Sequence, residues 1–164
     1  MTSPPKLGQR EMAYRYKESG LDNIFLIDGF HIHKTKYGRG ISIDDTEGLH
    51  KAIGQWLIDL PKPLNGAELR FLRLEMDLSQ KQLAGIIGSA EQNVRRWEKA
   101  RKRPIPGPAD RLLRALYNEF GGGDGSVRRI VGRLAELDQI THAKVRLRET
   151  RTGWKIERLG GDEL

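Results

Sequence analysis

The sequence predicts an α+β fold, with a central all-α domain flanked by an N-terminal strand segment and by a C-terminal helix with a β-hairpin. Apolar residues recur at helical spacing through 64–120. They alternate with polar residues on both sides of that region, which is typical of strands. Pro61-Lys62-Pro63 and the glycine-rich stretch 121–125 interrupt the pattern. The breaks divide the chain into four parts: a flexible lead over 1–12, a strand and helix segment over 13–60, a helical domain over 64–120, and a helix and hairpin over 126–158.

The strand segment is predicted to end in one helix. An apolar run closes at Asp28-Gly29, a strong turn dipeptide. Apolar and polar residues then alternate over 30–33, a second turn is predicted over 37–40, and alternation resumes over 41–43. Asp44 or Asp45 then caps a helix over 46–58, because apolar residues recur there at helical spacing. We interpret this segment as a module for dimerisation or for binding a partner.

Four helices are predicted in the central domain. The first three each open on a capping pair, in which a polar cap residue is followed three positions later by Glu or Gln: Asn65 with Glu68, Ser79 with Gln82, and Ser89 with Gln92. A rigid turn over 104–108, which contains three prolines, precedes the fourth helix. That helix carries an apolar face that includes Leu113, Leu116 and Tyr117.

The C-terminal part is predicted to hold a fifth helix over 127–140 and a hairpin around Thr152-Gly153. The apolar stripe of that helix is a candidate dimer surface, and so are Leu113, Leu116 and Tyr117. The alternative for the stripe is that it packs on its own chain.

Positive charge is concentrated in the middle of the chain. Lys and Arg number 29 against 22 Asp and Glu, which gives a net charge of +7. Residues 66–120 hold eleven basic and seven acidic side chains, so they carry four of the seven excess charges. Six cations crowd nine positions with Glu98 as their only acidic neighbour: Arg95, Arg96, Lys99, Arg101, Lys102 and Arg103. The run indicates an anionic partner, and the alternative is a solvated helix face.

Several classes of function are excluded or disfavoured by the composition. The chain has no cysteine, which excludes disulfides, thiol nucleophiles and thiolate metal sites. No apolar run is long enough to span a membrane, and the first residues do not resemble a signal peptide, so we expect a cytoplasmic protein. His31 and His33 could form a metal-binding pair on one strand face, but exposed strand histidines are the commoner explanation. We predict no catalytic residues, no metal and no cofactor, and therefore no enzyme.

The residues between Gln80 and Trp97 carry the most information. Two short helices that meet at a steep angle need a small residue where their backbones approach, and Ala84 supplies it. The turn between them needs a residue that tolerates a positive φ, and Gly88 supplies that. Val94 and Trp97 then place the inner face of the next helix on the first two. This spacing is the pattern of a helix-turn-helix, whose second helix lies in the DNA major groove.

These residues also resemble a known family. The stretch 78–88, followed by Val94-Arg95-Arg96-Trp97-Glu98, resembles the Cro and phage-repressor (XRE) class of DNA-binding domains, which have a lambda-repressor-like fold. Residues 65–73 and 106–111 are more specifically similar to the DNA-binding half of MqsA-type antitoxins. Those antitoxins carry a cysteine zinc site in their N-terminal half, and this chain lacks it. The family's glycine after Trp-Glu is Ala100 here, so we expect the third helix to run on toward Arg101.

The resemblance implies which side chains contact DNA. It places base contacts at Glu91, Gln92 and Arg96, with Asn93 and Arg95 able to reach either base or phosphate. Glutamine can bond bidentately to adenine, arginine to guanine, and glutamate can accept a hydrogen bond from cytosine. The alternative for Glu91 and Gln92 is helix-start propensity, and Glu98 is predicted to pair internally with an arginine. Phosphate contacts are expected at five further positions: Gln80, Ser89, Lys99, Lys102 and Arg103.

The sequence therefore predicts a sequence-specific DNA-binding transcriptional regulator, most simply a repressor. It would read the major groove with residues 89–101 and act as a homodimer on a palindromic operator in double-stranded DNA. One alternative is the antitoxin of a toxin–antitoxin pair, which would bind a toxin and repress its own operon. The other is an interaction module that does not read bases.

Overall fold

The structure of this chain, a computed structural model, describes residues 13–123, 125–126, 129 and 145–157. Within these residues the α-helices are Thr46–Asp59 (α1), Gly66–Glu75 (α2), Gln80–Ile87 (α3), Glu91–Lys99 (α4) and Gly107–Phe120 (α5). The strands are Tyr14–Arg15 (β1), Phe25–Leu26 (β2), Phe30–Thr35 (β3), Gly38–Ile43 (β4), Arg146–Thr150 (β5) and Gly153–Glu157 (β6). The predicted α+β class, with a central helical region between strand segments, is confirmed. The predicted helix over 127–140 lies outside the described residues apart from Arg129.

The described strands form three antiparallel pairs, each made by neighbours along the chain. β1 pairs with β2 around a short 3₁₀ turn, Lys17–Ser19. β3 and β4 form a six-pair hairpin, with Phe30 opposite Ile43 at its base and Thr35 opposite Gly38 at its tip. β5 and β6 form the predicted hairpin, in which Thr150 pairs with Gly153.

Local capping fixes the starts of the first three helices. Asp45, rather than Asp44, caps α1 by accepting a hydrogen bond from the backbone N–H of Gly48. Asn65 and Ser79 cap α2 and α3 through reciprocal capping boxes, as predicted. These bonds satisfy backbone donors that a helix leaves unpaired at its N-terminus.

One hydrophobic core joins the strand segment to the helices. Residues that are fully or almost fully buried lie on α1, α2, α3, α4 and α5 and in the linker: Leu57, Leu69, Leu72, Leu83, Val94, Leu113 and Leu64. Tyr16, Leu21 and Leu26 of the N-terminal segment belong to the same cluster. The core therefore holds α1 and the first strand pair directly against the central domain.

The apolar face of α5 is part of this core. Leu113, Leu116 and Tyr117 are at most 6% exposed, and α5 packs on α1, α2 and α3 of the same chain. The prediction that these three residues form a dimer surface is therefore wrong. The prediction relied on the helical spacing of apolar residues, and this spacing is the same whether the helix packs on its own chain or on a second copy.

Arg114 fixes the linker between α1 and α2. Its Nη1 donates to the carbonyl oxygens of Ile58 and Leu60, both at 2.8 Å, and its Nη2 donates to that of Lys62. Its Nε donates to Asp110, whose carboxylate also accepts from the backbone N–H of Leu64. Because a helix leaves its last carbonyls unpaired, this guanidinium completes the end of α1 and sets the path into α2.

A hydrogen-bonded triad connects the N-terminal segment to α1 and α2. The Nε2 of His50 lies 2.8 Å from the Tyr16 hydroxyl, and its Nδ1 lies 2.5 Å from a Glu75 carboxylate oxygen. The imidazole also packs against the rings of Tyr16 and Phe71. Burial raises the pKa of Tyr16 above its ordinary value of 10.0, and the charges of Glu18 and Glu75 raise it further.

This shift predicts a loss of stability at alkaline pH. In the unfolded chain the Tyr16 phenol ionises near pH 10, whereas the folded chain keeps it neutral to higher pH. The unfolded state therefore binds fewer protons in that window, and the free energy of unfolding falls as the pH rises from 10 through the folded pKa. Urea titrations between pH 9 and 11 should show a steeper fall for the wild type than for Tyr16→Phe. Equal slopes would contradict the assignment.

Within the described residues, no helix has both the length and the apolar composition needed to cross a membrane.

Candidate nucleic-acid interface

The turn between α3 and α4 is set by Ala84, Gly88 and Ser89. Ala84 is buried at 2% exposure between the two helices. Gly88 has φ +75°, the left-handed conformation that ends α3 at little steric cost. The backbone N–H of Ser89 donates to the Ala84 carbonyl at 2.9 Å. This is the long hydrogen bond of a Schellman ending.

That ending corrects the prediction that Ser89 caps α4. The N-cap is Ala90, and among the described residues no side chain caps the helix. Because Ser89 is held by the end of α3, one more residue is needed before the chain can enter the next helix. The Ser89 hydroxyl instead accepts a hydrogen bond from the Asn93 side-chain amide at 3.0 Å.

The other end of α4 is also shorter than predicted. The helix ends at Lys99, with Ala100 as its C-cap, and does not run on toward Arg101. The following loop turns back to α2, where the carbonyls of Arg103 and Arg101 accept the backbone N–H groups of Gly66 and Ala67. Those donors begin α2 and have no partner within their own helix, so the loop satisfies them.

A buried ion pair ties α4 to α2. Glu98 accepts hydrogen bonds from Nε and Nη2 of Arg73, at 2.5 and 3.1 Å, which confirms that Glu98 pairs internally with an arginine. Both side chains are buried. The side-chain amide of Gln80 donates to the same carboxylate at 2.7 Å. Gln80 at the start of α3 is thus oriented by a group on the inner side of α4.

The opposite face of α4 is open to solvent. Val94 and Glu98 are buried, whereas four exposed side chains follow one another at helical spacing along the outer face: Gln92, Arg95, Arg96 and Lys99. Within the described residues, the side chain of Gln92 forms no hydrogen bond, so its amide is available to a ligand. An amide and two guanidinium groups in one stripe are the groups that recognise adenine and guanine edges.

Short-range bonds hold the neighbours of Gln92. Arg95 donates to Glu91 at 2.7 Å, one helical turn away. Arg96 donates to the Asn93 side-chain oxygen at 3.0 Å. These bonds are solvent-exposed and contribute little free energy, so they orient the side chains but a ligand can replace them easily.

Cations continue beyond the C-terminal end of this stripe. Lys99, Lys102 and Arg103 are exposed and, within the described residues, form no ion pair. Arg101 is different, because its guanidinium donates to the Gly20 carbonyl at 2.7 Å and lies near Asp22. The charge run of the sequence therefore divides into residues that face solvent and one that anchors the N-terminal segment.

An open groove of about 630 Å³ lies where α2, the start of α3 and α4 meet. Its lining includes Gln80, Arg95 and Lys99, which the sequence predicts as DNA contacts, and also Arg70, which it missed. Arg70 lies one turn before Arg73 on α2 and is exposed. The sequence could have indicated Arg70, because it lies three positions before Arg73. Residues at this spacing share a helix face, and Arg73 lies on the face of α2 that meets α4.

The histidine pair does not form a metal cluster among the described residues. The Nε2 of His31 lies 2.8 Å from Asp44, and that of His33 lies 2.9 Å from the Ser42 hydroxyl, across the β3–β4 hairpin. Both histidines are exposed.

Comparison with known proteins agrees with this geometry. Residues 69–116 match the helix-turn-helix family model, which covers α2 from Leu69, all of α3 and α4, and most of α5. The match supports the predicted XRE-type helix-turn-helix regulator, while the narrower resemblance to MqsA-type antitoxins stays a prediction. No curated protein and no solved structure matches the chain significantly.

Proposed function

We propose that this chain is a sequence-specific DNA-binding transcriptional regulator that places α4 in the major groove. The observation that carries the proposal is the outer stripe of α4, where the unpartnered amide of Gln92 lies one turn from the exposed guanidinium of Arg96. The buried Arg73–Glu98 pair holds the helix from behind. A rigid helix with an open polar face is what direct base readout requires.

The side chains divide into two roles. Gln92 and Arg96 read base edges, and Glu91, Asn93 and Arg95 flank them on the helix. Gln80, Ser89, Lys99, Lys102 and Arg103 bind phosphates, and Arg70 joins them from the groove beside Gln80. Phosphate contacts position the protein, and base contacts give the sequence preference.

A repressor acting as a homodimer on a palindromic operator is the simplest form of this function. One domain of this kind covers about half of an operator, so two copies would read half-sites about one helical turn apart. The proposal assigns the chain no catalysis and no cofactor, and it places the chain in the cytoplasm with the chromosome. A toxin partner stays an alternative, tested by mixing the chain with the product of any neighbouring small toxin-like gene.

The test is selection of bound duplexes from a random library, followed by affinity measurements on the selected sequence. Gln92→Ala and Arg96→Ala should each weaken binding by about 1–3 kcal/mol and relax the preference at one position. Lys99→Ala should weaken binding to every sequence alike and reduce the slope of log K against log salt by about 0.9. Gln55→Ala, an exposed glutamine on α1, is the matched control and should change neither.

The outcomes separate the alternatives. A palindromic consensus supports the specific dimer. Enrichment of no sequence, or unchanged preference in both α4 variants, would show that the helix-turn-helix does not read bases.

A further inference from the structure

The β3–β4 hairpin projects from the core, and among the described residues its contacts with the core cluster lie at its base. Phe30 and Ile43, the first pair of the ladder, pack against the core cluster, and the Phe30 ring meets that of Tyr14 at 5.5 Å. Beyond them Ile32 is 52% exposed and Tyr37, in the turn, is 96% exposed. Six residue pairs at ~3.4 Å per residue give an arm about 20 Å long.

The tip of this arm concentrates positive charge. Residues 30–43 contain three cations, Lys34, Lys36 and Arg39, and no aspartate or glutamate. Within the described residues, none of the three forms an ion pair, and all are exposed. The two turn residues, Lys36 and Tyr37, extend this surface to the end of the hairpin.

The pairing register makes the charge concentration unfavourable. Lys34 and Arg39 are directly opposite each other in the ladder, so their side chains leave the same face of the hairpin. Like charges in this position destabilise a strand pair, whereas a lysine facing a glutamate would stabilise it. The free chain therefore holds an arrangement that an anion would relieve.

Acidic groups at the base of the hairpin do not offset the tip. Asp44 lies beside His31, and Asp45 caps α1. Both follow the last residue of β4, at the end of the ladder opposite the turn. The hairpin thus carries its positive charge at the free end.

The arm is connected to the proposed recognition helix through the N-terminal strand segment. Gly20 and Asp22, in the loop that joins β1 to β2, contact Arg101, two residues after the end of α4. β1, which pairs with β2, in turn contacts the base of the hairpin through Tyr14 and Phe30. The N-terminal strand segment therefore contacts both the base of the arm and the loop that follows α4.

We propose that the β3–β4 hairpin is a second DNA-binding element, whose tip binds the phosphate backbone of the duplex that α4 reads. Lys34, Lys36 and Arg39 neutralise phosphates, and the Tyr37 hydroxyl donates to a phosphate oxygen, a contact that tyrosine makes in protein–DNA complexes. This inference rests on the proposed function. The hairpin would add affinity and lengthen the DNA footprint without contacting bases.

The experiment uses the full chain and a labelled 40-base-pair duplex that carries the sequence selected by the wild type. Binding is measured from 50 to 300 mM KCl for the wild type and for Lys34→Gln/Lys36→Gln/Arg39→Gln. The triple variant should bind about 10- to 100-fold more weakly near 0.1 M salt, with a slope lower by about 2–3. Its ratio of affinities for the selected and a scrambled duplex should stay unchanged, and its hydroxyl-radical footprint should be shorter.

Two controls separate contact from net charge and from folding. Lys17→Gln/Lys51→Gln/Lys155→Gln removes three exposed cations outside the hairpin and should keep most of the affinity. Arg39→Glu places a carboxylate opposite Lys34, so thermal unfolding should occur at the same or a higher temperature while DNA binding weakens.

Each remaining outcome overturns the inference. If the two triple variants behave alike, the effect is one of overall charge. If the hairpin variant binds like the wild type while Gln92→Ala loses preference, the proposed function stands and the arm has no part in it. If the wild type binds no duplex, both proposals fail.

Discussion

Replacing Glu98 by alanine is expected to lower the free energy of unfolding by about 3–5 kcal/mol. The substitution leaves the Arg73 guanidinium, whose side chain is 9% exposed, without its carboxylate partner. Within the part of the chain that the structure describes, the Arg73 side chain keeps one hydrogen bond, from Nη1 to the Leu78 carbonyl at 2.8 Å. A buried charge with a single neutral acceptor is far less stable than the bidentate pair, because burial removes the water that would otherwise solvate it. Urea unfolding followed by tryptophan fluorescence measures the change.

A matched control isolates burial as the cause. Glu47 forms an exposed pair with Lys51 on α1, at 3.3 Å, and Glu47→Ala should change the free energy of unfolding by less than about 1 kcal/mol. The double variant Arg73→Met/Glu98→Leu removes both charges and should recover most of the stability lost in Glu98→Ala. A similar loss for Glu47→Ala and Glu98→Ala, or no recovery in the double variant, would contradict this account of the pair.

Features that depend on neighbouring residues could be predicted from the sequence. The caps at Asn65 and Ser79 were correct, because the cap and its reciprocal partner lie three positions apart within one short stretch. The hairpin around Thr152-Gly153 was predicted correctly as well, since alternation and turn residues determine it locally. The predicted cap at Ser89 was wrong because the backbone N–H of Ser89 closes the end of α3 by donating to the Ala84 carbonyl, so α4 begins one residue later.

Features that depend on contacts between distant residues could not be predicted. The face of α5 was identified as apolar, but only the packing shows that it is buried in its own chain. The position of α4 relative to α2 likewise decides that Arg70 shares a groove with Gln80. The charge at the hairpin tip depends on register, because Lys34 and Arg39 oppose each other only in the pairing that starts at Phe30 and Ile43.

Gly66→Ala is expected to destabilise the chain by about 3 kcal/mol, the upper end for forcing an extra carbon into a packed region. Gly66 is buried at the first position of α2, where a Cβ atom would overlap the carbonyl oxygen of Trp97 and lie 2.9 Å from that of Ala100. Both neighbours are backbone atoms at the end of α4, so no side chain can rotate away. The clash can be relieved only by separating α4 from α2, which would also shift the outer stripe of α4 and so weaken the specific DNA binding that we propose.

Gly85 supplies the matched comparison for this prediction. It lies within α3, and a Cβ there would meet no heavy atom within 4 Å. Alanine forms helices better than glycine at both positions, so Gly85→Ala should stabilise the chain by about 0.5–1 kcal/mol while Gly66→Ala destabilises it. The opposite signs isolate the contact with Trp97, since propensity acts in the same direction in both variants. Stabilisation by Gly66→Ala in urea titrations would show that α2 and α4 do not approach this closely in solution, and the support proposed for the recognition helix would fail with it.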